Sequence, residues 1–228
     1  TFTICTWEDL QPGQYAIPFS IRLPKDLFSS FDYQDQVKSN TYNASILYRL
    51  SARLEPENWK LHKLKYKQAI NVRATPPKHN QNVFQKLETP RTTLFFLSRG
   101  KTSVNVVVER DFVNYGEPLI VKITIDNSQS KIESQQIIVR LFNDLVLKAE
   151  NRTITRKNIK YRTRLGSVPA GKISKENIVA VPLMPGGMES TVDTGTIQSA
   201  YRLEVFLDGS MVDGSAKSCT FPIHIGCG

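Results

Sequence analysis

Apolar residues fall on every second position in run after run of this chain. Tyr15, Ile17, Phe19, Ile21 and Leu23 do so, as do Ile46, Tyr48, Leu50, Ala52 and Leu54. Leu64, Tyr66, Ile70 and Val72 follow, with Gln68 as the one polar interruption. The pattern returns in Val104, Val106 and Val108, in Leu119, Val121, Ile123 and Ile125, and in Ile137, Val139, Leu141, Leu145 and Leu147. Tyr201, Leu203, Val205 and Leu207 repeat it, and Phe221, Ile223 and Ile225 close it. Successive strand side chains point to opposite faces, so each run predicts a strand with one apolar and one wet face. Breakers separate the runs: Gln11-Pro12-Gly13, Pro76-Pro77, Tyr115-Gly116-Glu117-Pro118, Asp126-Asn127-Ser128, Pro185-Gly186-Gly187 and Asp208-Gly209-Ser210. These carry the residue types that turns require. No segment repeats with the helical period; one turn of helix is expected near residues 31–39. Many short strands with turns between them predict an all-β fold of the antiparallel sandwich class.

Composition divides the chain in two. Residues 75–82 read Thr-Pro-Pro-Lys-His-Asn-Gln-Asn, a polar stretch with two prolines of the kind that links domains. The change of domain is therefore expected between Thr75 and Pro90, with residues 1–90 as a first unit plus linker and 91–228 as a second. The second is long enough for a whole sandwich. The first holds about four strands, few for a closed sandwich. Thr1-Phe2-Thr3-Ile4-Cys5-Thr6-Trp7 reads as a strand entered part-way, so the first sandwich is expected to be incomplete.

The 228 residues are 40% hydrophobic and 22% charged, enough to bury a core. No window reaches the ~20 uninterrupted apolar residues of a membrane-crossing helix. Cys5, Cys219 and Cys227 are odd in number and scattered, which is neither a disulfide framework nor a metal-ligand spacing. A formal net charge of +9 favours anionic partners: phosphate groups, lipid headgroups, acidic tails or nucleic acid.

The residues that carry chemistry in enzymes form no recognisable constellation. His62, His79 and His224 stand apart from acids and nucleophiles in the sequence. There is no HExxH, GxSxG, Walker glycine loop or GxGxxG. The acidic pairs Glu8-Asp9, Glu55/Glu57 and Glu189/Asp193 fall in polar turns. No catalytic, cofactor or metal site is expected. The bases are more informative. Lys63, Lys65 and Lys67 are two apart and share one face of the strand running from Leu64 to Val72, with Tyr66, Ile70 and Val72 facing the core. Like charges stacked along a strand repel unless an anion answers them. A second cluster is Lys148, Arg152, Arg156, Lys157, Lys160, Arg162 and Arg164, expected on a loop and a strand start, where lysine also serves to guard an edge.

Four segments together resemble the arrestin family. They are Gly13-Gln14-Tyr15-Ala16-Ile17-Pro18-Phe19-Ser20-Ile21-Arg22-Leu23-Pro24 with Ser29-Ser30-Phe31; Tyr115-Gly116-Glu117-Pro118-Leu119-Ile120-Val121 to Ile125-Asp126-Asn127-Ser128; Ser199-Ala200-Tyr201-Arg202-Leu203-Glu204-Val205; and Phe221-Pro222-Ile223-His224-Ile225-Gly226. Their order and spacing cover nearly the whole chain. The resemblance implies two tandem antiparallel, immunoglobulin-like sandwiches of the arrestin type, part of an N-domain and a whole C-domain. It implies a non-enzymatic, cytoplasmic adaptor without cofactor, associating peripherally with plasma membrane or endosomes. Such an adaptor binds cytoplasmic tails of receptors or transporters and links them to endocytosis, trafficking or ubiquitination through ubiquitin ligases or coat proteins. It places phosphate or acidic-tail binding at Lys63, Lys65 and Lys67. It places anionic phospholipid near Lys131 and Arg140, with Arg156, Lys157 and Lys160 of the basic cluster beside them.

The departures favour the arrestin domain-containing branch. The family's polar-core arginine falls near Ala69-Ile70, and the loop opposite it reads Val181-Pro182-Leu183-Met184-Pro185-Gly186-Gly187. No PPxY is present, since Pro76-Pro77 precedes Lys78-His79. Two alternatives stand beside the adaptor: a retromer-type coat subunit of the same fold, and a basic nucleic-acid-binding module. Single-strand binders interleave aromatics with bases, and Tyr161 is the one aromatic inside the basic cluster, so nucleic acid is not the expected partner.

Overall fold

A computed structural model describes residues 3–8, 11, 13–37, 40–56, 63–74, 80–92, 98–150, 152–184, 188–208 and 218–226. Among them every regular element is a strand. No helix of the described residues is long and apolar enough to cross a membrane. His62, His79, Cys227 and the Pro76-Pro77 and Pro185-Gly186-Gly187 turns lie outside the described residues.

Two sheets face one another in the second part of the chain. One has six strands: β7 (Phe112–Asn114), β9 (Ile137–Ala149), β10 (Arg152–Leu165), β12 (Val192–Asp193), β13 (Ile197–Leu207) and β14 (Ser218–Gly226). Their order is β10-β9-β13-β14-β7, with β12 on β13. The other has four strands: β5 (Gln81–Thr92), β6 (Ser98–Arg110), β8 (Leu119–Asp126) and β11 (Asn177–Val181), in the order β11-β8-β6-β5. All pairings are antiparallel except β14 with β7, which is parallel. Alternation sets which residues meet between the sheets. Val104, Val106 and Val108 of β6 and the odd residues of β8 from Leu119 to Ile125 are buried against Leu141, Leu203 and Phe221 of the facing sheet. Each side chain so buried contributes about 1.5–3 kcal/mol relative to exposure.

Asn143 fills the gap in the β9 run. It is buried, and its amide donates to the Ser199 hydroxyl at 2.9 Å. Beyond it the same face of β9 serves a second cluster. There Leu145 and Leu147 meet Val192 together with Phe31 and Tyr33 of a hairpin made of β1 (Phe31–Val37) and β2 (Asn40–Ile46). A separate hairpin joins β3 (Tyr48–Leu54) to β4 (Leu64–Ile70).

Several expectations are corrected. In place of the helical turn expected near residues 31–39, Phe31–Val37 is a strand, because Phe31 and Tyr33 alternate onto Leu145 and Leu147; residues 38 and 39 lie outside the described residues. The 46–54 run is divided between β2 and β3. Tyr15, Ile17, Phe19, Ile21 and Leu23 belong to no strand, and all five are exposed. Period two marks an apolar face, but a strand also needs a neighbour for its backbone hydrogen bonds, and Pro18 offers no N–H. Leu64 and Tyr66 are 65% and 67% exposed, so the β4 face opposite its lysines does not reach the core. The Lys148–Arg164 cluster lies chiefly on one long strand, β10, not on a loop. β5 ladders with β6 from Gln81↔Arg110 to Thr92↔Ser98.

Candidate anion-binding surfaces

The β3–β4 register decides what stands beside the lysine ladder. Lys65 is the Cα partner of Arg53, Lys67 of Ser51 and Ala69 of Arg49. Cross-strand partners share a face, so Arg49 and Arg53 join Lys65 and Lys67 on one exposed surface. Lys63 enters just before β4 and approaches Glu55 at 3.9 Å, and Arg53 approaches the same carboxylate at 3.9 Å. Arg53, Glu55, Lys63, Leu64 and Lys65 line a hollow of about 250 Å³. The Arg53 charge, and after it Lys67, holds the Lys65 ammonium below its ordinary value. That is the signature of a cation short of counter-charge. The three lysines are therefore brought together, with two arginines that a one-strand reading misses. The phase of Arg49, Ser51 and Arg53 against Leu50, Ala52 and Leu54 carries that signal.

The second predicted group is split by the pleat. Arg140 lies on the outer face of the six-stranded sheet, across from Arg162. Its guanidinium stacks on Phe206 at 4.6 Å to the ring centroid. Its Nε is buried and has no hydrogen-bond partner among the described residues. Burial first, then Arg162 and Arg164, lower the Arg140 pKa, while Asp208 opposes them. Asp208 itself lies 3.7 Å from Arg164. Lys157 shares this face and stands over the Phe142 ring at 4.9 Å, opposite the stacked Arg202. Arg202 is held by Asp144 at 2.5 Å and by Glu204.

Arg156 and Lys160 turn the other way. Arg156 reaches Asp35 of β1 at 3.4 Å and the Tyr42 ring of β2. Lys160 occupies the bulge between Ile159 and Tyr161 and pairs with Glu189 at 3.2 Å. Lys131 is exposed in the turn after β8, where its backbone N–H donates to the Arg99 carbonyl at 2.8 Å. The outer face thus gathers Arg140, Lys157, Arg162 and Arg164. It does not gather Arg156 or Lys160, because the β10 bulge reverses which residues face outward.

The remaining chemistry-bearing residues have structural surroundings. Cys219 is buried, and that burial pushes its thiol up to about 11. The His224 backbone N–H donates to the Asp111 carbonyl at 2.7 Å. Glu189 pairs with Lys160 and receives the Tyr201 hydroxyl, while Asp193 accepts from the Gly195 N–H and Gln198. Among the described residues no group of three or more His, Cys, Asp or Glu is placed to hold a metal ion.

Two facing sheets, one with a cationic outer face, define an all-β sandwich protein. The family model described as "Arrestin (or S-antigen), C-terminal domain" matches residues 98–227. The chain belongs to the arrestin family. It is similar to arrestin domain-containing protein A of Dictyostelium discoideum, 27% identical over 119 residues. That stretch is 52% of this chain and 20% of the relative, so the chain spans about a fifth of that protein's length. Family membership supports an adaptor or scaffold role.

Proposed function

We propose that this protein is a non-enzymatic cytoplasmic adaptor that takes acidic or phosphorylated tails of membrane receptors or transporters onto the basic face of the β3–β4 hairpin. In this reading it links them to endocytosis, trafficking or ubiquitination through coat proteins or ubiquitin ligases, and meets plasma membrane or endosomes peripherally. The observation that carries the reading is the face shared by Arg53, Lys63, Lys65 and Lys67, with Glu55 as the one acid lining its hollow among the described residues. A phosphate or a run of carboxylates supplies the missing counter-charge, through exposed contacts that salt screens. The division into two units, residues 1–90 and 91–228, belongs to the same proposal.

The test is capture of this chain by phosphorylated and unphosphorylated tail peptides across a salt series. Binding is expected to weaken with salt and to be lost in a Lys63→Glu, Lys65→Glu, Lys67→Glu variant that still melts cooperatively. Undiminished capture by that variant overturns the site.

A second reading has its own observation, the unpartnered Nε of Arg140 between Arg162 and Arg164. An anionic lipid headgroup on this outer face, reached also by Lys157, would give that guanidinium an acceptor, with Lys131 as a further exposed cation. Co-sedimentation with phosphatidylserine vesicles tests it; equal binding by wild type and Arg140→Ala overturns it.

A further inference from the structure

One edge of the six-stranded sheet has no strand beside it among the described residues. β10 pairs with β9 alone, and it is 14 residues long. A long edge presents a row of unpaired N–H and C=O groups and is a template for another strand. Proteins commonly blunt such edges by keeping them short, by bulging them or by lining them with charge, and a charge-lined edge still admits a strand of opposite charge. β10 is long, and its one irregularity lies between Ile159 and Tyr161, where Lys160 is tied back to Glu189. Arg152–Leu165 contains six Lys or Arg and no Asp or Glu.

The register gives the edge a definite code. On the outer face, Arg164 pairs with Ile138, Arg162 with Arg140, Ile159 with Phe142 and Lys157 with Asp144. The β9 partners are evenly two apart, so a strand on the free side of β10 with the same spacing meets Arg164, Arg162, Ile159 and Lys157 in turn. β9 already answers the last two in kind, with Phe142 beside Ile159 and Asp144 beside Lys157. Ile159 is 53% exposed, so it has apolar surface left to cover.

We propose that β10 is a docking edge for an extended acidic peptide of a partner protein, added antiparallel as the outermost strand. Its pattern is acid-x-acid-x-apolar-x-acid, with the acids facing Arg164, Arg162 and Lys157 and the apolar residue covering Ile159. Backbone hydrogen bonds supply affinity and the alternate side chains supply selection, as in other strand-addition modes. The surface is distinct from the β3–β4 lysine face and holds or fails independently of it.

Fluorescence anisotropy of labelled Glu-Thr-Glu-Thr-Leu-Thr-Glu with the full chain tests this. Two N-methylated versions are compared, each blocking one alternate set of amides. Only one set faces β10, so one version is expected to lose binding and the other to keep it. An Arg162→Glu, Arg164→Glu variant is expected to bind at least about tenfold more weakly, from the loss and reversal of two cross-strand charge pairs. The Lys63→Glu, Lys65→Glu, Lys67→Glu variant is expected to bind this peptide as wild type does, which separates the edge from the lysine face. Equal binding by both N-methylated versions overturns the proposal whatever the variants do. So does capture by phosphatidylserine vesicles with no measurable peptide binding, which assigns the basic outer face to lipid.

Discussion

The Thr102 hydroxyl donates to the Asn127 side-chain oxygen at 2.6 Å, and both residues are fully buried. The Asn127 amide in turn donates to the carbonyls of Ile132, Val168 and Pro169 at 2.9, 3.0 and 3.1 Å. One side chain thereby ties β6, the turn after β8 and the loop after β10 together. A buried carbonyl stripped of its donor loses its hydration without replacement.

Asn127→Ala is therefore expected to destabilise the fold by about 2–3 kcal/mol, because it leaves the buried Thr102 hydroxyl without its acceptor and takes one of two donors from the Ile132, Val168 and Pro169 carbonyls. Thr102→Val removes one partner only and is expected to cost about 1–2 kcal/mol. Urea unfolding of the two variants checks the order; equal midpoints would contradict it.

Asn127 also shows where a sequence stops being legible. Asp126-Asn127-Ser128 reads as a turn, and Asp126 does behave so, accepting from the Ser128 N–H at 2.9 Å. That the middle residue points inward depends on loops about forty residues away, which no local pattern encodes. β6, β8, β9, β13 and β14 were legible because burial between two sheets enforces period two. β10 was not, because its apolar residues are sparse and its bulge shifts their phase at Lys160. The lysine ladder was legible along its own strand, while Arg53 joined it only once the β3–β4 register was known. Arg140 was named through resemblance, but its orphaned Nε is a fact of packing. Arg156 and Lys160 stood in the same basic run and went elsewhere, since side-chain direction on a bulged strand cannot be counted by twos.

Two glycines give a graded test of backbone geometry. Gly100 has φ +95°, and a Cβ there would lie 1.8 Å from the Gln129 carbonyl oxygen. Gly116 has φ +86° with open space around it. Gly116→Ala is expected to cost about 1–2 kcal/mol for the left-handed conformation alone. Gly100→Ala carries the same strain plus a backbone clash and is expected to cost more. Thermal melts of the pair decide; a smaller shift for Gly100→Ala would refute the close approach.

Stability is expected to fall above pH 9. Burial raises the Cys219 thiol from 9.0 to about 11, and burial followed by Asp35 raises the Tyr33 phenol from 10.0 to about 12. A group raised in the folded state contributes stability that is complete below its unfolded value and is lost as pH rises through the folded one. The Cys219 contribution therefore fades between about pH 9 and 11 and the Tyr33 contribution between about 10 and 12. Denaturant midpoints across pH 8 to 12 should show the fall. Cys219→Ala should flatten its lower part, while Tyr33→Phe should lessen its upper part without abolishing it, since burial also raises the Tyr201 phenol.

The last prediction concerns what holds the β1–β2 hairpin to the sheet. Arg156 meets Asp35 at 3.4 Å, but both side chains are about one-third exposed, so solvent screens the pair. Leu145 is buried between Phe31, Tyr33 and Val192. Arg156→Ala is expected to lower stability by no more than about 1 kcal/mol, with exchange in residues 31–46 speeding up only a few-fold. Leu145→Ala opens a cavity and is expected to cost about 2–5 kcal/mol, with exchange in the hairpin rising far more. Hydrogen exchange on both variants reads the order directly. Because Arg156 is spent on Asp35 and Tyr42, Arg156→Ala should leave binding to anionic vesicles unchanged while Arg140→Ala reduces it. The reverse result would mean that the hairpin lifts off the sheet to free Arg156 when a membrane is bound.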